Sequence, residues 1–108
     1  MATVLPREEA LAHWREALVN WVKGGNPDLT NRQMALLLCV SLDPSQQTAS
    51  GLAARLGVTK PVVSRTLDKL CRLKYVRRVS GKRDRRYVFV TATDTGREFL
   101  DDFARGIQ

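Results

Sequence analysis

The feature that most constrains this fold is a change of period at Leu73. Before it, Val63, Leu67 and Leu70 recur at helical spacing and share one face. After it, Tyr75-Val76-Arg77-Arg78-Val79 and Arg86-Tyr87-Val88-Phe89-Val90 are two β-prone runs. They bracket the charged, glycine-containing tip Ser80-Gly81-Lys82-Arg83-Asp84-Arg85. Upstream, Thr48 or Ser50 is placed to cap a short helix from Gly51 to Leu56, which Gly57 closes. Val58-Thr59 then opens the next helix, with Thr59 as its N-cap. Pro61 is tolerated there because first-turn amides have no intrahelical partner to lose. Two short helices joined by a Gly-Val-Thr turn and followed by a hairpin predict a winged helix-turn-helix, mainly α with a small β-hairpin.

The same stretch holds the charge. The 35 residues from Gly57 to Thr91 contain eleven basic and two acidic residues, a local +9, while the rest of the chain carries −2. The formal net charge of +7 is therefore a patch. So dense a patch is costly without a polyanion, and a phosphate backbone is the commonest such partner.

The remaining sequence frames this region within 108 residues, enough for one domain that folds without staples. A first helix is predicted from Arg7 to about Lys23, with Pro6 at its start, Glu8 and Glu9 in its first turn, and Gly24-Gly25 after it. Leu11, Trp14, Leu18, Trp21 and Val22 form its apolar face, which serves either the core or a second subunit. Thr30 and Gln33 form a capping box, and Leu29 with Met34 a hydrophobic staple, for a second, buried helix ending at Asp43-Pro44-Ser45. A last helix begins near Thr93 or Asp94 and carries Phe99, Leu100, Phe103 and Ile107. The longest apolar run, Met34 to Val40, is too short to span a bilayer. The start lacks the pattern of a secretory signal. Cys39 and Cys71 make neither a disulfide framework nor a zinc site. A reducing cytoplasm is the expected setting, and no cofactor is called for.

In a winged helix the second helix of the pair enters the major groove by its N-terminal end. Thr59, Lys60, Pro61, Ser64, Arg65 and Lys69 are the candidates on it. Arg65 leads, because its fork can pair bidentately with guanine or clamp a phosphate. The competing reading of Arg65 is a solvated helix surface. The tip would reach the minor groove, where a narrow A·T-rich stretch favours arginine. Asp84 beside Arg85 reads as an orienting acid and its probe, or else as a generic charged turn. Lys82, Arg83, Arg86 and Arg78 read as phosphate contacts that position without specifying.

At these residues the chain resembles the MarR-type (multiple antibiotic resistance) transcriptional regulators. The likeness runs through Thr48-Ala-Ser-Gly-Leu-Ala-Ala-Arg-Leu-Gly-Val-Thr-Lys, Val63-Ser64-Arg65, Asp68-Lys69-Leu70, Tyr75-Val76 and Arg78, then Asp84-Arg85-Arg86 and Thr93-Asp-Thr-Gly96. The Asp-Arg pair followed by Arg and a strand is the most specific element. The resemblance implies a homodimer on a pseudo-palindromic double-stranded operator, formed by interlocked N- and C-terminal helices. It departs from the family in three places. Lys74 stands where the family has a turn glycine, so a left-handed conformation there carries strain. Ala92 replaces a leucine. The sequence ends one short helix after the wing, so a compact relative is the expectation, with a small-molecule effector left open.

Other classes fit less well. His13 is the sole histidine and has no nucleophile or carboxylate cluster placed to serve it, and no phosphate-binding loop or metal-ligand spacing occurs, so no enzyme is expected. A protein-interaction module would not need both a basic helix and a basic tip. RNA binding would need Tyr75, Tyr87 and Phe89 to face outward as stacking platforms. A membrane-surface helix is disfavoured because the apolar face of the basic helix is already committed to a core.

Overall fold

In a computed structural model, residues 5–43, 45–84 and 86–107 are described. They divide into two compact units, one of residues 29–98 and one combining the start of the chain with residues from Phe99 onward.

The larger unit is the winged helix. Helix α2 (Asn31–Leu42) starts at the expected capping box: Gln33 N donates to Thr30 Oγ1 at 3.1 Å and Thr30 N to Gln33 Oε1 at 2.9 Å. Its Leu36, Leu37 and Val40 are buried, and it packs on the two helices that follow it and on the return strand of the hairpin. A two-residue strand, β1 (Gln47–Thr48), leads into α3 (Ala49–Leu56). Thr48 Oγ1 accepts from Gly51 N at 3.1 Å, so the cap is Thr48 rather than Ser50. Gly57 ends the helix at φ 67°, a left-handed position that a Cβ makes costly.

Helix α4 (Lys60–Arg72) buries Val63, Thr66, Leu67 and Leu70. Thr59 stands at its N-cap position, but its side chain makes no capping hydrogen bond. The expected cap is corrected, and the reason is local: Pro61 falls at the second helical position and removes one of the two amides a capping hydroxyl serves. After Leu73 the chain turns through Lys74 at φ 65°, the left-handed conformation expected to be strained there. Thr93 holds that turn. Its Oγ1 donates to Lys74 O at 2.5 Å and its N to Tyr75 O at 3.0 Å. Gly96 lies so close that a Cβ on it would collide with the Tyr75 carbonyl.

Strands β2 (Val76–Ser80) and β3 (Val88–Ala92) pair antiparallel, with Val76 opposite Ala92 and Ser80 opposite Val88. The return strand starts two residues later than the alternation suggested, because Arg86 and Tyr87 belong to the connection: Gly81 N donates to Tyr87 O at 2.7 Å and Tyr87 N to Asp84 O at 3.2 Å. Strand β1 adds to β3, giving the order β1-β3-β2. Val76, Val90 and Ala92 are buried. Helix α5 (Asp94–Arg105) begins with Thr93 Oγ1 accepting from Gly96 N at 3.0 Å.

The smaller unit contains α1 (Arg7–Lys23) and the end of α5. Trp21 stacks on Phe99 with ring centroids 4.0 Å apart, and Phe103 meets both Trp21 and Trp14 edge-on at 5.4 Å. Trp21 Nε1 donates to Pro27 O. The aromatics at the two ends of the sequence therefore pair within one chain. A second stripe of α1 remains partly in water: Leu11, Leu18 and Val22 are 55, 43 and 71% exposed, and Trp14 keeps 44% exposure beside Phe103. His13 is half-buried.

Candidate nucleic-acid interface

The four buried residues of α4 set its opposite face by geometry, since residues three and four apart share a side. Pro61, Arg65 and Arg72 lie on that opposite face and are exposed, with half-buried Lys69 beside them and exposed Lys60 at the start of the helix. Among the described residues, Lys60, Arg65, Lys69 and Arg72 carry no ion pair. Their charge is free to meet an anion.

Ser64 and Asp68, also exposed, sit on the flank of α4 that faces the hairpin. There Arg78 of β2 reaches the helix. Its Nη2 donates to Asp68 Oδ1 at 2.9 Å and to the Ser64 carbonyl at 3.3 Å, and its Nη1 lies 3.6 Å from Cys71 Sγ. Position along β2 explains the reach. Arg78 follows Val76 by two residues and pairs with buried Val90, so it leaves the sheet on the core side. The sequence suggested a phosphate contact, but the guanidinium is occupied on α4.

At the wing tip, Lys82 and Arg83 are exposed. Asp84 holds Arg86: Arg86 Nη2 donates to Oδ2 at 2.8 Å, Nε to Oδ1 at 3.1 Å, and the backbone N to Oδ1 at 2.9 Å. These bonds, the side-chain ones foremost, keep the Asp84 carboxyl below the usual carboxylate range and push the Arg86 guanidinium up. The observed partner of Asp84 is thus Arg86. Arg85, the expected probe, lies outside the described residues. Of the three rings an RNA surface would need, Tyr75 is buried, Phe89 half-buried and Tyr87 60% exposed.

The family model of the MarR family matches residues 28–86. Among solved structures, a transcriptional regulator from Thermotoga maritima is similar with a TM-score of 0.78 and 23% identity, over 94% of this chain and 68% of that one. A mutant of MepR from S. aureus, bound to an oligodeoxyribonucleotide, is similar with a TM-score of 0.73 and 23% identity, over 92% and 70%. The YusO protein of Bacillus subtilis gives 0.70 and 23%, over 90% and 66%. At these identities the likeness is one of fold. No curated protein sequence matches the chain.

Proposed function

The chain belongs to the MarR family, and from that premise we propose that it is a sequence-specific, double-stranded DNA-binding transcriptional regulator. In this reading α4 enters the major groove, where Arg65 and Ser64 read base edges with Thr59, Lys60, Pro61 and Lys69 around them. The wing enters the minor groove with Arg85, while Lys82, Arg83 and Arg86 meet phosphates. The observation that carries the proposal is the basic stripe of α4, without ion pairs among the described residues, opposite the buried face of Val63, Thr66, Leu67 and Leu70 and beside a basic wing. MepR's bound oligodeoxyribonucleotide supports the ligand class.

The active species is a homodimer on a pseudo-palindromic operator. Support comes from the stripe Leu11, Trp14, Leu18 and Val22, which a monomer leaves partly in water. The setting is the bacterial cytoplasm; among the described residues no helix is long and apolar enough to cross a membrane.

Selection of genomic fragments at physiological salt, with sequencing of the bound pool, tests this directly. Recovery of an inverted repeat with half-sites about one helical turn apart is the expected result. Affinity should fall steeply with salt, by about 0.9 log unit per phosphate neutralised for each tenfold rise. Fragments without a shared motif, or a flat salt response, would overturn it.

A further inference from the structure

We infer that Arg78 is a positioning residue that acts on DNA through α4, locking the wing to the reading helix and keeping Asp68 away from the reading arginines. The inference rests on the DNA-binding reading above and deepens it.

The argument starts from the acid. Asp68 is the one carboxylate on α4, and it lies three residues after Arg65 and four before Arg72. At those spacings an acid and an arginine are neighbours on a helix surface and pair readily. A pairing of that kind would draw Arg65 or Arg72 off the DNA-facing stripe. The structure instead satisfies Asp68 from another element, through Arg78 at 2.9 Å. Arg65 and Arg72 are left without ion pairs among the described residues.

The geometry also makes Arg78 a brace. Its guanidinium touches Ser64, Asp68 and Cys71, at i, i+4 and i+7, and so spans two turns of α4 from a single point on β2. A planar fork with five donors can serve several acceptors at once; an ammonium is a compact point charge and cannot match that pattern. The wing and the reading helix are consequently held at one angle. A residue that fixes this angle governs how well base edges are read, while the number of phosphates neutralised stays the same.

A phosphate contact and a positioning residue behave differently, and four variants separate them: Asp68→Asn, Arg78→Gln, Arg78→Lys and the double variant Asp68→Asn/Arg78→Gln. Binding is measured on a duplex selected from a random pool and on a scrambled duplex, over a range of salt. An exposed ion pair adds little to fold stability, so all four variants are expected to fold, which circular dichroism and a thermal midpoint verify.

For a positioning residue, Asp68→Asn weakens the selected duplex although it removes a negative charge from the DNA side. Arg78→Gln weakens it by about tenfold with an unchanged salt slope, and Arg78→Lys fails to rescue. The double variant costs far less than the sum of the singles. The scrambled duplex is bound about as before, so the loss falls on specificity. For a phosphate contact the pattern reverses: Asp68→Asn tightens binding, Arg78→Lys restores it, and Arg78→Gln lowers the slope by about 0.9. That pattern overturns the inference and leaves the DNA-binding reading standing. Failure of the unsubstituted protein to bind any duplex overturns both together.

Discussion

The reading helix and the wing tip are both strongly basic, and each contains a single acid, yet the two acids are neutralised in different ways. Asp84 is satisfied two residues away, by the backbone and side chain of Arg86. Asp68 is satisfied ten residues away, by an arginine on a different element. The first interaction shapes a loop; the second joins two bodies. An acid in a basic surface is therefore a clue to order, local in one case and long-range in the other.

The largest test of this contrast removes the platform beneath α4. Leu70 is fully buried, and Leu70→Ala should destabilise the fold by about 2–5 kcal/mol. Urea unfolding measures it, and a loss below 1 kcal/mol would mean that α4 is not anchored as described. Next comes the free cation on that platform. Arg65→Ala should cost about 1–3 kcal/mol of binding and relax the preference at one base position. Uniform weakening on every sequence would make Arg65 a phosphate contact instead.

The turn between the two regions gives a gain. Lys74 holds a left-handed conformation, so Lys74→Gly should stabilise the protein by roughly 1 kcal/mol, read as a higher urea midpoint. A lower midpoint would show that the Thr93 clasp already compensates that turn.

The wing's local pair should matter least. Asp84→Ala removes a negative charge from the DNA side, yet it frees Arg86 and should weaken binding by less than about fivefold. Tighter binding would mean that Asp84 only repels. The pair also has a pH signature. Because the folded Asp84 carboxyl sits below its ordinary 3.8, the contact is complete above that value and is lost as pH falls through the lower, folded one. The Arg86 Nε–H resonance followed by NMR should still report the pair at about pH 4; its loss near pH 5 would contradict the geometry.

Much of this architecture is written in short-range signals. The Thr30–Gln33 box, the Gly57 terminus and the apolar spacing of α4 each depend on near neighbours along the chain, and the structure has all three; the left-handed turn at Lys74 followed from the family resemblance alone. Strand β1 is not legible in the sequence because two residues cannot display a period, and Thr48 carries the signal of a helix cap, a role it also fills. Thr59 makes no capping bond because Pro61, tolerated in the first turn, also removes an amide that a capping hydroxyl would serve. The return strand began late because the loop's own hydrogen bonds took Arg86 and Tyr87.

The sequence by itself determined that a basic helix and a basic hairpin would stand side by side, since spacing, caps and charge are properties of neighbours along the chain. Only the tertiary structure decided which cation answers which acid. That choice depends on the register of β2 on β3 and on where the hairpin lies along α4, and it placed Arg78, not Arg65 or Arg72, against Asp68. The aromatic ends follow the same logic. Their spacing announced an apolar face, but whether Trp21 met Phe99 of its own chain required the chain to fold back on itself, and the 4.0 Å stack shows that it does.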